Sequence, residues 1–504
     1  MGWLMILGSI VVIVALVILW FNFKLLANMK KNTFKTPSGK VITIPYNGNP
    51  LIETVKALLK FFDGSFRGEK AIETFLGGVK KAVEKNPDLH FMQGSFLHLH
   101  SITVWDPEYA RLVLFAKDSE LCKGSLGATI TDNFLGESIL LANGDKWKEH
   151  KTVLSPAFAW KHVQSILPAF VDIAKNLQSK WNGKSQSFLI SEWLEKATLD
   201  AIGRGGFGFD FKALDEGSES KEIKQYRSLM KEFQNPIHFF DRIDKLLGSR
   251  KKLNYEVSEF ESFMQNLIGS KRSMIQEAGD SWKPEDILDY LLSAEQNNNL
   301  SDRQIAHDMN TFFIAGHETT AGALASILHC LAKHPEVQDK AREEIKSICG
   351  NNNPTYDDIK QMNFMENCIK ETLRLFPPAL AVSRVVAKEL DIGDLHVTKG
   401  SLVVVLSMYM HRSEEYWGKD AEEFKPERFE DRDSIPRYAY IPFSIGPRQC
   451  IGNNFALLEM KTFLSVLLQN FSFSIDTNST EKPVPYMGSV LTINPKCPLI
   501  VTPV

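Results

Sequence analysis

The chain opens on an unbroken apolar run. From Trp3 to Phe23 there are 21 residues without a charge, broken only by polar Ser9 and Asn22. At about 1.5 Å per residue, such a helix spans the roughly 30 Å of a bilayer's hydrocarbon core. A cleaved signal peptide has a shorter apolar stretch, a basic residue before it and a small-residue cleavage site after it, and none of these is present. Lys24, Lys30, Lys31 and Lys35 follow the run, and positive charge beside a span marks the cytosolic side. Residues 1–24 are therefore expected to form a single-pass anchor. Residues 36–50 (TPSGKVITIPYNGNP) carry three prolines and two glycines, so 25–50 reads as a stiff hinge. The remainder, 51–504, shows no internal repeat and reads as one body.

Within that body, helical periods dominate. The best-bounded helix opens at Ser301-Asp302-Arg303-Gln304, a capping-box pattern, and closes at Lys333-His334 before Pro335. Its middle, Thr311 to Leu328, is apolar or small on all faces, as befits a helix running through the interior. A second helix starts with Pro335 in its first turn and stops at Gly350. Strand-like runs such as Ser401–Leu406 and Val490–Ile493 are short. The predicted fold class is mainly α with a small β portion.

Composition narrows the function. Lys plus Arg total 58 against 61 Asp plus Glu, a net charge of -3, so the concentrated basic surface that nucleic acids require is not implied. Six cysteines without a CxxC pair suggest neither a disulfide framework nor a zinc ribbon. Two motifs mislead. Gly203-Arg204-Gly205-Gly206-Phe207-Gly208 matches the dinucleotide fingerprint, but a helix-like stretch precedes it and no helix follows. His317-Glu318 is half of a zinc-protease motif with Ala321 where the second histidine must stand. His98 and His100, two apart, read as solvated or core residues.

The chemistry concentrates in Phe443-Ser444-Ile445-Gly446-Pro447-Arg448-Gln449-Cys450-Ile451-Gly452, which fixes the five residues of F-x-x-G-x-R-x-C-x-G. A cysteine at the start of the helical stretch 453–468 lies among free N–H groups that favour a thiolate, the form that ligates iron. This decapeptide resembles the haem-binding loop of the cytochrome P-450 family, microsomal eukaryotic type, and the resemblance covers almost the whole chain. It implies haem b with Cys450 as axial thiolate ligand, Arg448 on a propionate, and Phe443, Gly446 and Gly452 shaping the loop against the macrocycle.

Four further motifs support the resemblance. Ala315-Gly316-His317-Glu318-Thr319-Thr320 is similar to the oxygen-activating segment A-G-x-E-T-T. By that likeness Ala315 and Gly316 border dioxygen, while Thr319 and Glu318 are the catalytic pair that relays protons to it. Glu371-Thr372-Leu373-Arg374 and Phe424-Lys425-Pro426-Glu427-Arg428-Phe429 resemble E-x-x-R and F-x-P-E-R-F, implying a structural triad of Glu371, Arg374 and Arg428. Trp147 to Lys151 resembles W-x-x-x-R, whose ends hold propionates. Lys151 replaces the arginine, keeping the charge but losing the bidentate fork. Arg384, after Pro377-Pro378, resembles another propionate partner.

The resemblance implies a monooxygenase inserting one atom of O2 into a lipophilic small molecule, with electrons from NADPH through a separate reductase and residence in the endoplasmic reticulum membrane, the body in the cytosol. A haem-thiolate isomerase or peroxide-rearranging enzyme, needing no reductase, and a thiolate-haem sensor are the alternatives. Stretches expected to line the substrate site are roughly 100–135, Asn310–Ala315, Ala379–Val382 and Tyr486–Leu491, whose apolar content points to an apolar ligand.

Overall fold

The computed structural model describes residues 31–35, 41–43, 77, 79–80, 83–84, 90–96, 99–124, 134–182, 186–215, 221–233, 244, 248–296, 300–478, 485–487, 491–493 and 498–504. The expected anchor, 1–24, and most of the hinge lie outside the described residues. Among the described residues, no helix is long and apolar enough to cross a membrane. The chain divides into two compact units: 1–124 with 381–416 and 436–448, and 125–380 with 417–435 and 449–504.

The first unit is built on strands. β1 (Thr33–Lys35) and β2 (Val41–Thr43) join β8 (Leu390–Ile392) and β9 (Leu395–Val397) in the order β2-β1-β9-β8. A five-stranded sheet runs β3 (Phe91–Phe96), β4 (Leu99–Val104), β10 (Leu402–Val405), β7 (Val382–Val386) and β5 (Leu121–Cys122). Its central strand β10, Leu-Val-Val-Val, pairs parallel with β4 and antiparallel with β7. Such a β-branched run suits a strand covered on both faces. α1 (Pro107–Phe115) starts where the Asp106 carboxylate accepts the N–H groups of Glu108 and Tyr109. The described end of the hinge is tied to this sheet by a buried polar cluster. Thr398 N–H donates to Asn32 Oδ1 at 2.8 Å, and the Asn32 amide reaches His100, which also meets Gln93 and Ser401. His100 is thus a core-satisfied histidine, its pKa pulled down to about 4 by burial.

The second unit is helical: α2 (Gly144–Leu154), α3 (Trp160–Trp181), α4 (Ile190–Ile202), α5 (Lys221–Phe233), α6 (Arg250–Ala278), α7 (Ile287–Gln296), α8 (Asp302–Lys333), α9 (Pro335–Cys349), α10 (Asn363–Leu375) and α11 (Asn453–Asn470). It also carries the antiparallel sheet β11-β14-β6 (Phe471–Ile475, Pro498–Pro503, Gln186–Leu189) and the hairpin of β12 (Pro485–Met487) and β13 (Leu491–Ile493). Fully buried Trp181 closes α3 onto that sheet, its ring edge-on to Phe188, Phe471 and Phe473.

α8 runs through the unit, packing on α4, α6, α7, α9, α10, α11 and β11. Its start carries both halves of the capping box, Ser301 with Gln304, and α9 ends at Gly350 with φ 59°. The glycine-rich 203–208 segment is the end of α4: a single π turn, Gly203–Phe207, closed by left-handed Gly208. A Cβ on Gly203 would lie 2.6 Å from the Phe209 carbonyl, so close packing rather than phosphate binding accounts for the glycine there.

Candidate active site

The cysteine loop bends through two left-handed residues, Ser444 (φ 60°) and Gly446 (φ 77°). A Cβ on Gly446 would stand 2.6 Å from the Leu114 carbonyl oxygen at the end of α1, so only glycine lets the loop lie there. Gly452 meets no such contact: a Cβ would find Phe158 at 3.8 Å and Cys450 Sγ at 4.0 Å. Phe443 is half-buried.

In the first unit, Arg448 Nη2 donates to Asp118 Oδ2 at 2.5 Å. Arg384, on β7, is 3% exposed; its Nη1 donates to the Ser383 carbonyl, while its buried Nη2 has no hydrogen-bond acceptor. Desolvation, then the charge of Arg448, pulls Arg384 down to about 10. Lys123 belongs to the same group. Burial, then Arg384 and Arg448, lowers it to about 7, against the pull of Asp118. Three cations are gathered around Asp118, and desolvation, the largest cause of each downward shift, records what it costs to hold them charged there.

In the second unit, Cys450 is reachable from solvent yet hemmed in by protein. That desolvation pushes the thiol's pKa up, while the Gly452 N–H, at the mouth of α11, pulls it down and is outweighed. A helix start alone would favour the thiolate; here desolvation outweighs it, and binding a metal would favour the deprotonated form. Trp147 and Lys151 lie one turn apart on α2, with Lys151 Nζ 5.0 Å from the Trp147 ring centroid.

The oxygen segment occupies one turn of α8. Among buried neighbours Phe312, Phe313, His317 and Thr320, Ala315 is exposed, so an otherwise covered helix is open there. Three consecutive carbonyls accept side-chain hydroxyls: Ala315 from Thr319 at 2.8 Å, Gly316 from Thr320 at 3.3 Å, and His317 from Thr198 at 3.1 Å. Glu318 turns away from Thr319, Oε1 accepting the hydroxyl of buried Tyr226 on α5. Gly316 faces α4, where a Cβ would meet Ile202 Cδ1 at 2.7 Å, so its missing side chain is taken up by helix packing rather than by a gap for dioxygen. His317 is buried with Nδ1 donating to the Phe313 carbonyl, and no metal-binding cluster of His, Cys, Asp or Glu occurs among the described residues.

Glu371, Arg374 and Arg428 meet at full burial of the first two. Arg374 Nε and Nη2 fork onto the two Glu371 oxygens at 2.7 and 2.8 Å, and Nη1 reaches the Ala421 carbonyl. Arg428 Nε lies 3.3 Å from Glu371 Oε1, and Asp420 joins as a fourth charge, 2.8 Å from Arg428 Nη2. The sequence motifs do not name Lys123, Asp118, Tyr226 or Asp420. Asp420 lies only eight residues before Arg428, whereas the other three come from segments distant in the chain from the motifs they serve.

Residues 89–501 match the family model described as Cytochrome P450. The chain belongs to the cytochrome P450 family. Among its relatives is a cytokinin hydroxylase of Arabidopsis thaliana, 32% identical over 73% of this chain and 71% of its own. An 11-oxo-beta-amyrin 30-oxidase of Glycyrrhiza uralensis is 32% identical over 78% and 77%. A bifunctional cytochrome P450/NADPH--P450 reductase of Bacillus subtilis is 33% identical over 69% of this chain and 33% of its own length. The protein is accordingly a cytochrome P450 monooxygenase of the haem-thiolate type.

The residues present fit that cofactor. A group bearing two carboxylates complements the cations Arg384, Arg448 and Lys123 and offers an acceptor to the orphaned Arg384 Nη2. Cys450, at the start of α11, offers the soft sulfur that iron accepts.

Proposed function

We propose that this cytochrome P450 is a single-pass, membrane-anchored monooxygenase that oxidises a lipophilic small molecule with O2. Its electrons come from NADPH through a separate reductase. Residues 1–24 anchor it in the endoplasmic reticulum membrane, with the body on the cytosolic side. The observation that carries the chemistry is Cys450, held at the mouth of α11 behind a loop that only Gly446 allows. Haem, bound through that sulfur, supplies the activation of dioxygen and the transfer of one oxygen atom.

The chain's own residues do the rest. Lys123, Arg384 and Arg448 neutralise the cofactor's carboxylates, aided by Trp147 and Lys151 on α2. Thr319 presents a hydroxyl beside Ala315, and Glu318 is the nearest acid in sequence that can resupply its proton. For that transfer each must leave its resting partner, the Ala315 carbonyl for Thr319 and Tyr226 for Glu318. Support for the reductase comes from the Bacillus subtilis relative, whose name joins a cytochrome P450 to an NADPH--P450 reductase. The relatives are named for molecules as different as a cytokinin and 11-oxo-beta-amyrin, so the proposal for substrate stays at the class of apolar small molecules.

The test is the carbon monoxide difference spectrum of the dithionite-reduced protein. A Soret band red-shifted into the thiolate range is expected. A histidine-type band in protein that holds its haem firmly, or freshly folded protein that takes up no haem, would overturn the assignment. Protease digestion of sealed microsomes should degrade the body; a protected body would refute the orientation.

A further inference from the structure

Within the Trp147–Lys151 segment, Lys148 and Glu149 are exposed and His150 faces inward. His150 and Asp308 are both 0% exposed, with Nδ1 2.5 Å from Asp308 Oδ2. The proton positions follow from their neighbours. Backbone N–H of Ser301 must donate, so Gln304 Oε1 is the acceptor of the capping box at 2.9 Å. That orients the Gln304 amide with Nε2 toward His150 Nε2, at 3.3 Å, which therefore accepts. His150 is then the Nδ1–H tautomer, donating to Asp308, whose other oxygen takes the Ile139 N–H at 2.6 Å. A continuous chain of hydrogen bonds runs from the start of α8, through α2, and back to α8.

Two further side chains of α8 hold the stretch leading into α2. The Glu137 N–H donates to His307 Nδ1 at 2.9 Å, and Asn310 Nδ2 donates to the Phe134 carbonyl at 3.0 Å. Asp308 stands two turns before Ala315, and His150 lies three residues after Trp147 and one before Lys151. A buried, fully satisfied pair of this kind fixes one geometry and tolerates few others.

We infer that the His150–Asp308 pair is a positioning device: it locks α2 onto α8 so that Trp147 and Lys151 are set to receive a cofactor carboxylate. The inference rests on the proposed role of Trp147 and Lys151. Neither His150 nor Asp308 touches the cofactor; they act through the α2 face.

The measurement is the rate of haem loss from the ferric holoprotein to excess apomyoglobin, alongside thermal melting of each variant. His150→Phe fills the space but cannot donate, and should lose haem about tenfold faster, the effect of one charge-assisted hydrogen bond. His150→Asn keeps a donor near the Nδ1 position and should stay within about threefold of wild type; a merely space-filling role would reverse that order and overturn the proposal. The decisive comparison is a cycle with Trp147→Ala/Lys151→Ala. If His150 acts through that face, adding His150→Phe to the double variant changes the rate less than about twofold. A further tenfold loss would show a general effect on the fold and refute it. Wild-type haem loss from Trp147→Ala/Lys151→Ala would instead defeat the cradle role itself. Should His150→Phe not fold, the cycle runs with Asp308→Asn, which keeps the shape and removes the charge.

Discussion

Arg374 allows charge and geometry to be separated. Replacing it by lysine keeps a cation beside Glu371 but replaces a planar fork by a single nitrogen. The donations of Arg374 include two to Glu371, one to the Ala421 carbonyl at 2.6 Å and one to the Glu423 carbonyl at 3.1 Å. A lysine that stays on Glu371 leaves both carbonyls without that donor in a site where Arg374 itself is 0% exposed. At about 1–3 kcal/mol per unsatisfied buried acceptor, Arg374→Lys should destabilise by about 3 kcal/mol. Arg374→Ala removes the charge as well and the contact with the Trp417 ring, whose centroid lies 4.9 Å away. Glu371 then keeps only Arg428 and the Lys425 N–H, a loss of about 4–5 kcal/mol. For a unit of this size about 2 °C is lost per kcal/mol, so circular dichroism melts at one scan rate should fall by about 6 °C for lysine and 8–10 °C for alanine. A lysine variant melting within about 1 °C of wild type would show that charge alone is used and refute the reasoning from the fork.

Gly446→Ala forces a Cβ into a left-handed residue, about 1–2 kcal/mol, and against the Leu114 carbonyl 2.6 Å away. The loop must move, so haem bound per protein should fall well below wild type; full occupancy would contradict the close-approach argument. Glu366 carries a pH dependence. Burial would raise its pKa, but hydrogen bonds from Lys370 and Lys461 bring it from 4.5 to about 2. A depressed carboxylate stabilises the fold above its unfolded pKa, and that contribution disappears as pH falls from about 4.5 toward 2. Lys370 is itself pulled down by desolvation, which offsets part of that contribution. Glu366→Gln should thus melt lower than wild type at pH 7 and converge with it near pH 2–3, whereas parallel curves would exclude the linkage. Thr319→Ala should keep the thiolate-type carbon monoxide spectrum while diverting several-fold more of the electrons supplied to hydrogen peroxide; unchanged coupling would remove Thr319 from the relay.

What could be read from the chain was local. Ser301, Gln304 and Pro335 mark the ends of α8 to within a residue, because caps act over three or four positions. Glycines around 203 could be set aside as a phosphate loop because α4 precedes them, and helices announce themselves by period. Partnerships outside the motifs were not legible. Tyr226 is 92 residues from Glu318 and Asp118 is 330 from Arg448, and nothing in the local pattern of either segment encodes the other. Gly316 shows a subtler limit. The motif ties it to dioxygen, yet Ile202 of α4 fills the space a side chain would take, and a single glycine cannot declare which neighbour needs it small. His150 did leave a signal: an imidazole on a stripe shared with buried Leu154, where a surface helix would carry an apolar residue.

The electrostatics on the two sides of the cysteine loop point the same way. Around Arg448, burial and mutual repulsion lower Arg384 and Lys123, so the first unit's cluster holds its positive charges at a cost to the folded chain. At Cys450, two residues further on, desolvation raises the thiol's pKa, while the Gly452 N–H is already placed to stabilise the sulfur once ionised. Carboxylates brought to the arginines and lysine relieve the first cost, and iron brought to the sulfur relieves the second. The same loop therefore couples cofactor binding to stability twice, through charge and through ligation. Whatever binds the native chain and not the unfolded one adds its binding free energy to the fold. A group carrying only one of the two features, a metal-free porphyrin with both carboxylates or a metal ion alone, would recover only part of that coupling. Melting temperature should therefore rise most with haem, less with the metal-free porphyrin, and least with the ion.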